Sequence, residues 1–308
     1  MTDASARPLP NGSPALTVIV PSVNGADDLL PCLDALALQR DDAVLEVIVV
    51  DRLGAQLRDA VRRGYSWVRL VKAPAGATIP AMRMMGFDAA TGDFVAVIED
   101  HVQVPQGWAA AVLATQHEGP AVIGGGVYNT ATDRTVDWAA FLCEYSHCIP
   151  PLAAGPAEWL TGNNVIYPRK LLQGYRNELS PEKWENYLHD LMRRDGIPLV
   201  CHPEIVVAHK KHYTIREYTT QRYYYARSYA GARVAGASLA RRLAFGAASF
   251  ALPPLLYYRV VSRVMSKHKH RAELVRSLPL LALFVTSWAA GEIVGSWFGP
   301  GDSLSRVC

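Results

Sequence analysis

The sequence predicts an α/β protein in which a sheet flanked by helices is followed by an apolar helical region at the C-terminus. Short apolar, β-branched segments alternate with segments of helical periodicity over the first hundred residues. This alternation is typical of parallel βαβ units with right-handed crossovers. A second observation is a change of composition near Arg241, after which two long apolar segments follow.

Each predicted strand is a short β-branched or apolar segment. The first ends at Pro21, the second at Asp51, and a later one runs directly into Glu99. Between them, leucine or methionine recurs at helical spacing. Predicted strands are 16–21, 45–51, 67–71, 94–98, 121–128 and 198–209, predicted helices are 27–38, 56–63, 79–90, 108–116 and 182–194, and 159–168 is expected to form a turn plus strand followed by a helix.

Composition limits the possible partners and compartment. The chain has 308 residues and a formal net charge of +3, which is too small to indicate nucleic acid. Its five cysteines form no CxxC pair, which favours reduced thiols in a reducing compartment. Residues 1–14 are polar, lack the apolar core of a signal peptide and are predicted to be disordered. We therefore expect the catalytic part to lie in the cytoplasm.

The C-terminal region, 233–308, is predicted to associate with a membrane. Leu243–Ser262 and Ser277–Phe298 are each about long enough to cross a hydrocarbon layer, and the alternative is two buried helices of a soluble domain. The region from Lys210 to Arg276 has an excess of Lys and Arg, which suits anionic phosphates or an anionic membrane. The basic connector Lys267–Arg271 favours interfacial or re-entrant helices, so peripheral and integral attachment both stay open.

Acidic and imidazole side chains follow the apolar strand 94–98. Glu99, Asp100 and His101 come directly after it, at the strand end where open α/β sheets bind ligands. Oxygen and nitrogen donors together suit Mg²⁺ or Mn²⁺ holding a diphosphate. The alternative is a solvated junction between strand and loop.

In their order and spacing, five segments resemble the family-2 glycosyltransferases of membrane-associated bacterial type, which have the GT-A nucleotide-sugar-binding fold. The resemblance covers about 16–229, and we therefore predict a catalytic domain at 15–232. The segments are Val18–Asn24, Val47–Asp51, Arg83–Gly86, Ala90–Phe94 and Glu99–His101.

The resemblance implies a donor site and a metal site. Asp51, at the end of the second strand, would accept hydrogen bonds from the base or ribose of the donor. The planar guanidinium of Arg83 would hold phosphate oxygens. Glu99, Asp100 and His101 stand in place of the DxD motif, with His209 nearby, and this departure leaves the choice between Mn²⁺ and Mg²⁺ open. The implied donor-binding residues are Asp51, Arg83, Asp100, Trp159, Asn163, Arg222 and Arg227.

The same resemblance implies a general base. Counting back from Gly196 places Glu185 at the base position, beside Trp184, with Asp190 and Glu182 as rivals. A single base without a second carboxylate nucleophile in register implies inversion at the sugar carbon.

Together these residues predict an inverting glycosyltransferase that uses a UDP- or GDP-sugar and a lipid-linked or polysaccharide acceptor at the cytoplasmic side of the membrane. The alternative is a non-catalytic nucleotide-sugar-binding or scaffold protein of the same fold. A nucleotidylyltransferase is disfavoured because no glycine-rich, lysine-bearing loop follows the first strand. A dehydrogenase is disfavoured because no GxGxxG fingerprint is present.

Overall fold

A computed structural model describes residues 14–41, 43–115 and 120–307. The predicted disorder of residues 1–14 therefore lies, except for Pro14, outside the described residues. The strands, in chain order, are β1 (Leu16–Ser22), β2 (Leu45–Asp51), β3 (Val68–Lys72), β4 (Phe94–Val97), β5 (Val102–Gln103), β6 (Val122–Asn129), β7 (Gly155–Pro156), β8 (Val165–Pro168) and β9 (Leu199–His209).

The helices alternate with these strands in the first half of the chain and dominate after His209. Short 3₁₀ helices cover Ser249–Ala251 and Ser303–Arg306. The α-helices are α1 (Ala26–Ala37), α2 (Ala55–Gly64), α3 (Ile79–Ala89), α4 (Trp108–Ala114), α5 (Thr135–Tyr145), α6 (Arg169–Gly174), α7 (Glu185–Arg194), α8 (Ile215–Arg233), α9 (Leu239–Ala248), α10 (Leu252–Ser266) and α11 (Arg271–Phe298).

The chain forms two compact units. Unit 1 comprises Met1–Tyr128 and Pro150–Lys210, and unit 2 comprises Asn129–Ile149 and Lys211–Cys308. This division differs from the predicted one at 232/233, because α5 and α8 pack against α11 and so belong with the C-terminal helices. The assignment of a catalytic and a membrane-associated part stays a prediction.

Unit 1 is built on one mixed sheet, in the order β3-β2-β1-β4-β8-β6-β9-β5, with β7 paired to β9. Strands β1 to β4 are parallel, as predicted. Strand β8 is antiparallel to β4 and to β6, and β5 is antiparallel to β9. The carboxyl ends of β1, β2 and β4 therefore meet at one edge, where parallel sheets bind ligands.

The close approach of α3 to β1 fixes the position of the site. A Cβ built on Gly86 would lie 2.4 Å from Cγ2 of Ile19, so a larger residue would force the buried Ile19 or the helix to shift. Thr78 caps the start of α3 by accepting a hydrogen bond from the amide of Ala81. The helix is thereby held against the parallel strands, and Arg83 projects from it as a buried residue.

The helical C-terminal region differs in detail from the prediction. The apolar segment 243–262 is divided, because α9 ends at Ala248 and α10 begins at Leu252, with prolines in its first turn where no helical N–H bond is lost. The second segment lies within α11, a continuous helix of 28 residues. Among the described residues, α11 is the one helix long and apolar enough to cross a membrane.

Asn164 joins two strands that flank the site. Its buried amide nitrogen donates to the carbonyl oxygens of Gly126 (3.0 Å) and Ile205 (2.9 Å). Asn164→Ala would leave both carbonyls without this donor, so we expect the free energy of unfolding to fall by about 2–3 kcal/mol. Urea unfolding measures this loss. The partly exposed Asn186, substituted in the same way, should change stability little, and equal effects of the two would refute the role of Asn164.

Candidate active site

The acidic segment after β4 is anchored to the loop after β1. The Asp100 carboxylate is fully buried and accepts hydrogen bonds from the amides of Val23 (2.7 Å) and Asn24 (2.9 Å). The Asn24 side chain donates to its other oxygen at 2.6 Å. Burial alone would raise the pKa of Asp100, but its hydrogen bonds, led by the one from His101, lower it. Asp100 is therefore held ionised.

A cluster of possible metal ligands consists of Glu99, His101 and His209, with ligand atoms that all lie within 4.8 Å of one another. Nε2 of His101 lies 3.1 Å from Nε2 of His209 and 3.2 Å from Oε2 of Glu99. The antiparallel register of β5 and β9 pairs Val102 with His209 and so brings the two histidines together.

Charge attraction outweighs burial in this cluster. Burial raises the pKa of Glu99, but His101, Arg83 and His209 lower it to about 2. Burial lowers the pKa of His101, but hydrogen bonds and charge attraction from Asp100 and Glu99 raise it to about 9. The cluster is thus an anionic environment that favours a cation, either a proton or a metal.

The donor set fits a divalent transition metal. One carboxylate and two imidazoles suit Mn²⁺ better than Mg²⁺, which prefers oxygen alone. Oδ1 of Asp100 lies 3.3 Å from Nδ1 of His101 and leaves Nε2 of His101 directed to the cluster. The same arrangement orients many metal-binding histidines in proteins. Asp100, predicted as a ligand, is thus placed behind His101, and its ligand role stays a prediction.

Arg83 connects this cluster to the predicted base. Nη1 of Arg83 donates to Oε2 of Glu185, and Nη2 donates to the carbonyl oxygen of Gly162 at 3.1 Å. Nη2 also lies 4.0 Å from Oε1 of Glu99. The buried Arg83 guanidinium therefore lies between Glu99, a candidate metal ligand, and Glu185, the predicted base.

Glu185 is the first residue of α7, after Trp184 at the N-cap position. Gly162 packs directly against it, because a Cβ there would lie 1.9 Å from Oε1 of Glu185 and would displace the carboxylate. The rival bases Glu182 and Asp190 are exposed, whereas the Glu185 side chain is 21% exposed. Of the three carboxylates, Glu185 is the one in contact with Arg83.

The three other predicted site residues of unit 1 differ in burial and in hydrogen bonding. The buried Asp51 accepts from the amides of Leu53 and Gly54 and pairs with Arg58 at 2.6 Å, so it also fixes the start of α2. Asn163 is buried, and its Nδ2 has no hydrogen-bond partner among the described residues. Trp159 is 44% exposed.

Arg222 and Arg227 belong to unit 2. The guanidinium of Arg222 lies 4.1 Å from the ring centroid of Trp288, and Nε of Arg227 donates to the carbonyl oxygen of Gly299 at 3.3 Å. Their predicted contact with the donor diphosphate stays a prediction.

Sequence reasoning missed a buried pair next to the predicted base. The hydroxyl of Tyr167 lies 2.7 Å from Nε2 of His189, four residues after Glu185 on α7. Sequence reasoning also missed Asn24, which anchors Asp100. A histidine one helical turn beyond Glu185 was the available signal for the pair, whereas the contact of Asn24 depends on strand pairing and leaves no local pattern.

A family model for "Glycosyl transferase family 2" matches residues 17–174, just over half of the chain. The chain belongs to glycosyltransferase family 2. This matched range includes the strand ends, Arg83 and the Glu99–His101 segment, and Glu185, His189 and His209 follow it. The family model therefore supports the fold and the enzyme class, while the roles of single residues rest on the geometry.

Three individual proteins show what this chain is similar to, and the one structure among them with a TM-score above 0.5 supports the fold. The human "Probable polypeptide N-acetylgalactosaminyltransferase 8" is 27% identical over 132 residues, 39% of this chain and 21% of that protein, so the chain spans about a fifth of this relative. "Mannosyltransferase PcManGT from Pyrobaculum calidifontis in complex with GDP-Man and Mn2+" matches with a TM-score of 0.51 and 18% identity, covering 92% of this chain and 77% of that one. S. aureus TarS 1-349 in complex with UDP matches with a TM-score of 0.49 and 16% identity, covering 91% and 90%.

Removal of any one member of the cluster should weaken metal binding. We expect Glu99→Gln, His101→Ala and His209→Ala each to lower Mn²⁺ affinity at least about a hundredfold, since loss of even an outer-shell partner costs about 10–100-fold. Titration calorimetry with Mn²⁺ in the presence of a nucleoside diphosphate measures this. His202→Ala is the matched control, because His202 lies on β9 but pairs with Glu204. Wild-type affinity in the His209 variant would exclude this ligand set.

His189 should make the glycosyltransferase less stable in mild acid. Burial, with a smaller contribution from Arg83, lowers the pKa of His189 to about 4. Between about pH 7 and pH 5 the unfolded chain gains a proton here that the folded chain does not, so stability falls by about 2 kcal/mol. Urea unfolding of His189→Gln should show a correspondingly flatter pH dependence than the wild type. The same slope in both would contradict the shifted pKa.

Proposed function

We propose that this chain is a metal-dependent, inverting glycosyltransferase that moves a sugar from a nucleotide-sugar donor to a hydroxyl acceptor. The observation that carries the proposal is the contact of Arg83 with both Glu185 and the metal cluster, since transfer needs a leaving-group site beside a base. The structural relative in complex with GDP-Man and Mn²⁺ supports a donor of the nucleoside diphosphate type.

Glu99, His101 and His209 would hold the divalent metal. A bound Mn²⁺ or Mg²⁺ supplies positive charge that stabilises the departing diphosphate. Asp100 keeps His101 oriented, and Arg83 is matched to phosphate oxygens by its planar fork. Asn163 offers its buried amide N–H to a sugar hydroxyl or phosphate oxygen, and Asp51 would accept from the ribose or base.

Glu185 would accept the proton of the acceptor hydroxyl. Arg83 fixes the carboxylate through Oε2, and Oε1 lies beside Gly162. Attack by the deprotonated hydroxyl on the anomeric carbon, from the face opposite the diphosphate, gives an inverted product. Glu99, the other carboxylate that Arg83 contacts, would belong to the metal site. Glu185 would then act alone, which favours a single displacement over a covalent intermediate.

The acceptor would be a lipid-linked or polysaccharide hydroxyl at the cytoplasmic side of the membrane. The basic composition of 210–276 supports this acceptor class. Arg222 and Arg227 would contribute to binding of the diphosphate.

Glu185→Gln should abolish transfer while leaving donor binding intact, because the amide keeps the shape but accepts no proton. We expect release of nucleoside diphosphate, in the presence of membrane extract and a panel of UDP- and GDP-sugars, to fall by about 10²–10⁴-fold. The exposed Glu182→Gln and Asp190→Asn are matched controls and should retain activity.

Three outcomes would overturn parts of this proposal. Normal turnover of Glu185→Gln would exclude Glu185 as the base. A product that retains the donor's anomeric configuration, read by NMR, would exclude inversion. Saturable donor binding without turnover over the whole panel would favour the alternative of a nucleotide-sugar-binding or scaffold protein.

A further inference from the structure

Helix α11 makes a close interface with α8 inside unit 2. Ser287, Gly291 and Gly295 recur every four residues along α11. The Ser287 hydroxyl donates to the carbonyl oxygen of Thr219 at 2.7 Å. A Cβ on Gly291 would lie 2.3 Å from the carbonyl oxygen of Tyr223, and one on Gly295 would lie 2.4 Å from that of Arg227. Small residues at this spacing allow two helix backbones to touch.

The partner helix is strongly polar. α8 carries four arginines and begins with a capping box at Thr214 and Glu217. Arg233 of α8 pairs with the buried Glu292 of α11, and Arg222 stacks on Trp288. If α11 crossed a bilayer, α8 would either enter the hydrocarbon with its arginines or leave Glu292 there unpaired, and both are unfavourable. The α8-facing side of α11 is thus the core of unit 2.

A different part of unit 2 exposes apolar side chains. On α10, Leu255, Tyr258 and Met265 lie on one face of the helix, because they are spaced by three and seven residues. Tyr258 is 70% exposed, and Phe250, in the turn before α10, is 67% exposed. Leu243 on α9 is 50% exposed. Exposed aromatic and aliphatic side chains at such density indicate a surface that meets a partner.

The charge of this segment identifies the partner. Residues 239–276 contain eight Lys and Arg residues and one Glu. Among them Arg259 and Arg263 are exposed on α10 itself, Lys269 is exposed in the connector to α11, and Arg271 is exposed as the first residue of α11. Apolar anchors flanked by cations match the headgroup and acyl boundary of an anionic bilayer, where each cation adds attraction.

We propose that the α9–α10 surface, defined by residues 239–271, binds the face of an anionic membrane, and that α11 remains inside unit 2 without crossing the bilayer. Phe250 and Tyr258 enter the interface, and Arg259 and Lys269 contact lipid phosphates. The proposal extends the proposed function by stating how the enzyme reaches a membrane-borne acceptor. Its test uses neither donor nor acceptor, so the two can fail separately.

The test is co-sedimentation of the full chain with vesicles. We expect it to bind phosphatidylcholine vesicles that contain phosphatidylglycerol, to bind pure phosphatidylcholine at least tenfold more weakly, and to be released by high salt or by alkaline carbonate. Phe250→Ser with Tyr258→Ser should weaken binding about tenfold or more, and so should Arg259→Ser with Lys269→Ser. Leu38→Ser and Arg63→Ser, at exposed positions of unit 1, are the matched controls.

All substituted side chains are exposed, and thermal unfolding of each variant verifies that the fold is kept. Resistance to both salt and carbonate extraction would overturn the proposal in favour of a spanning α11. Equal binding to neutral and anionic vesicles would refute the role of the cations. Self-association that the Phe250 and Tyr258 substitutions abolish, without vesicle binding, would assign the surface to a second copy of the chain instead.

Discussion

The buried guanidinium of Arg83 is the constraint on which the site depends. Arg83 is 5% exposed, so the charge of its guanidinium must be balanced by carboxylates and carbonyl oxygens of the protein. Glu185, Glu99 and the carbonyl of Gly162 supply them. These groups come from three segments that are distant in sequence, and the Arg83 contacts fix their relative positions. The glycine at 86 matters for the same reason, since it allows α3 to approach β1 and present Arg83.

Contacts behind the candidate metal site hold the Glu99–His101–His209 cluster in place. Asp100 accepts hydrogen bonds from the backbone amides that follow β1, and it faces Nδ1 of His101, the ring nitrogen that points away from the cluster. His209 comes from the other end of the sheet order, through the pairing of β5 with β9. The parallel half of the sheet thus supplies Glu99 and His101, and the antiparallel half supplies His209, the third candidate ligand. Replacing carboxylate ligands by imidazole shifts such a site from Mg²⁺ towards transition metals.

Local sequence patterns predicted the parallel half of the fold well, because each buried strand is a continuous apolar segment. The strand at 45–51 was predicted with the observed bounds, and most other elements differ by one or two residues. Helix α5 was not predicted, since most of its residues are buried and no polar face marks its periodicity. The packing of Asp100 behind His101 and the Tyr167–His189 pair depend on register and tertiary contact, which single-sequence patterns do not encode.

The C-terminal helices show why composition alone cannot assign a membrane span. Length and hydropathy describe what α11 is made of, but its surroundings depend on which element covers it. In unit 2 the helix directs its small residues and Glu292 to the arginine-bearing α8, so its apolar composition serves a close helix pair. The apolar residues of α9 and α10, in contrast, project outward beside an excess of positive charge. For such a chain, the exposed and cationic face carries more information about lipid contact than the most hydrophobic helix does.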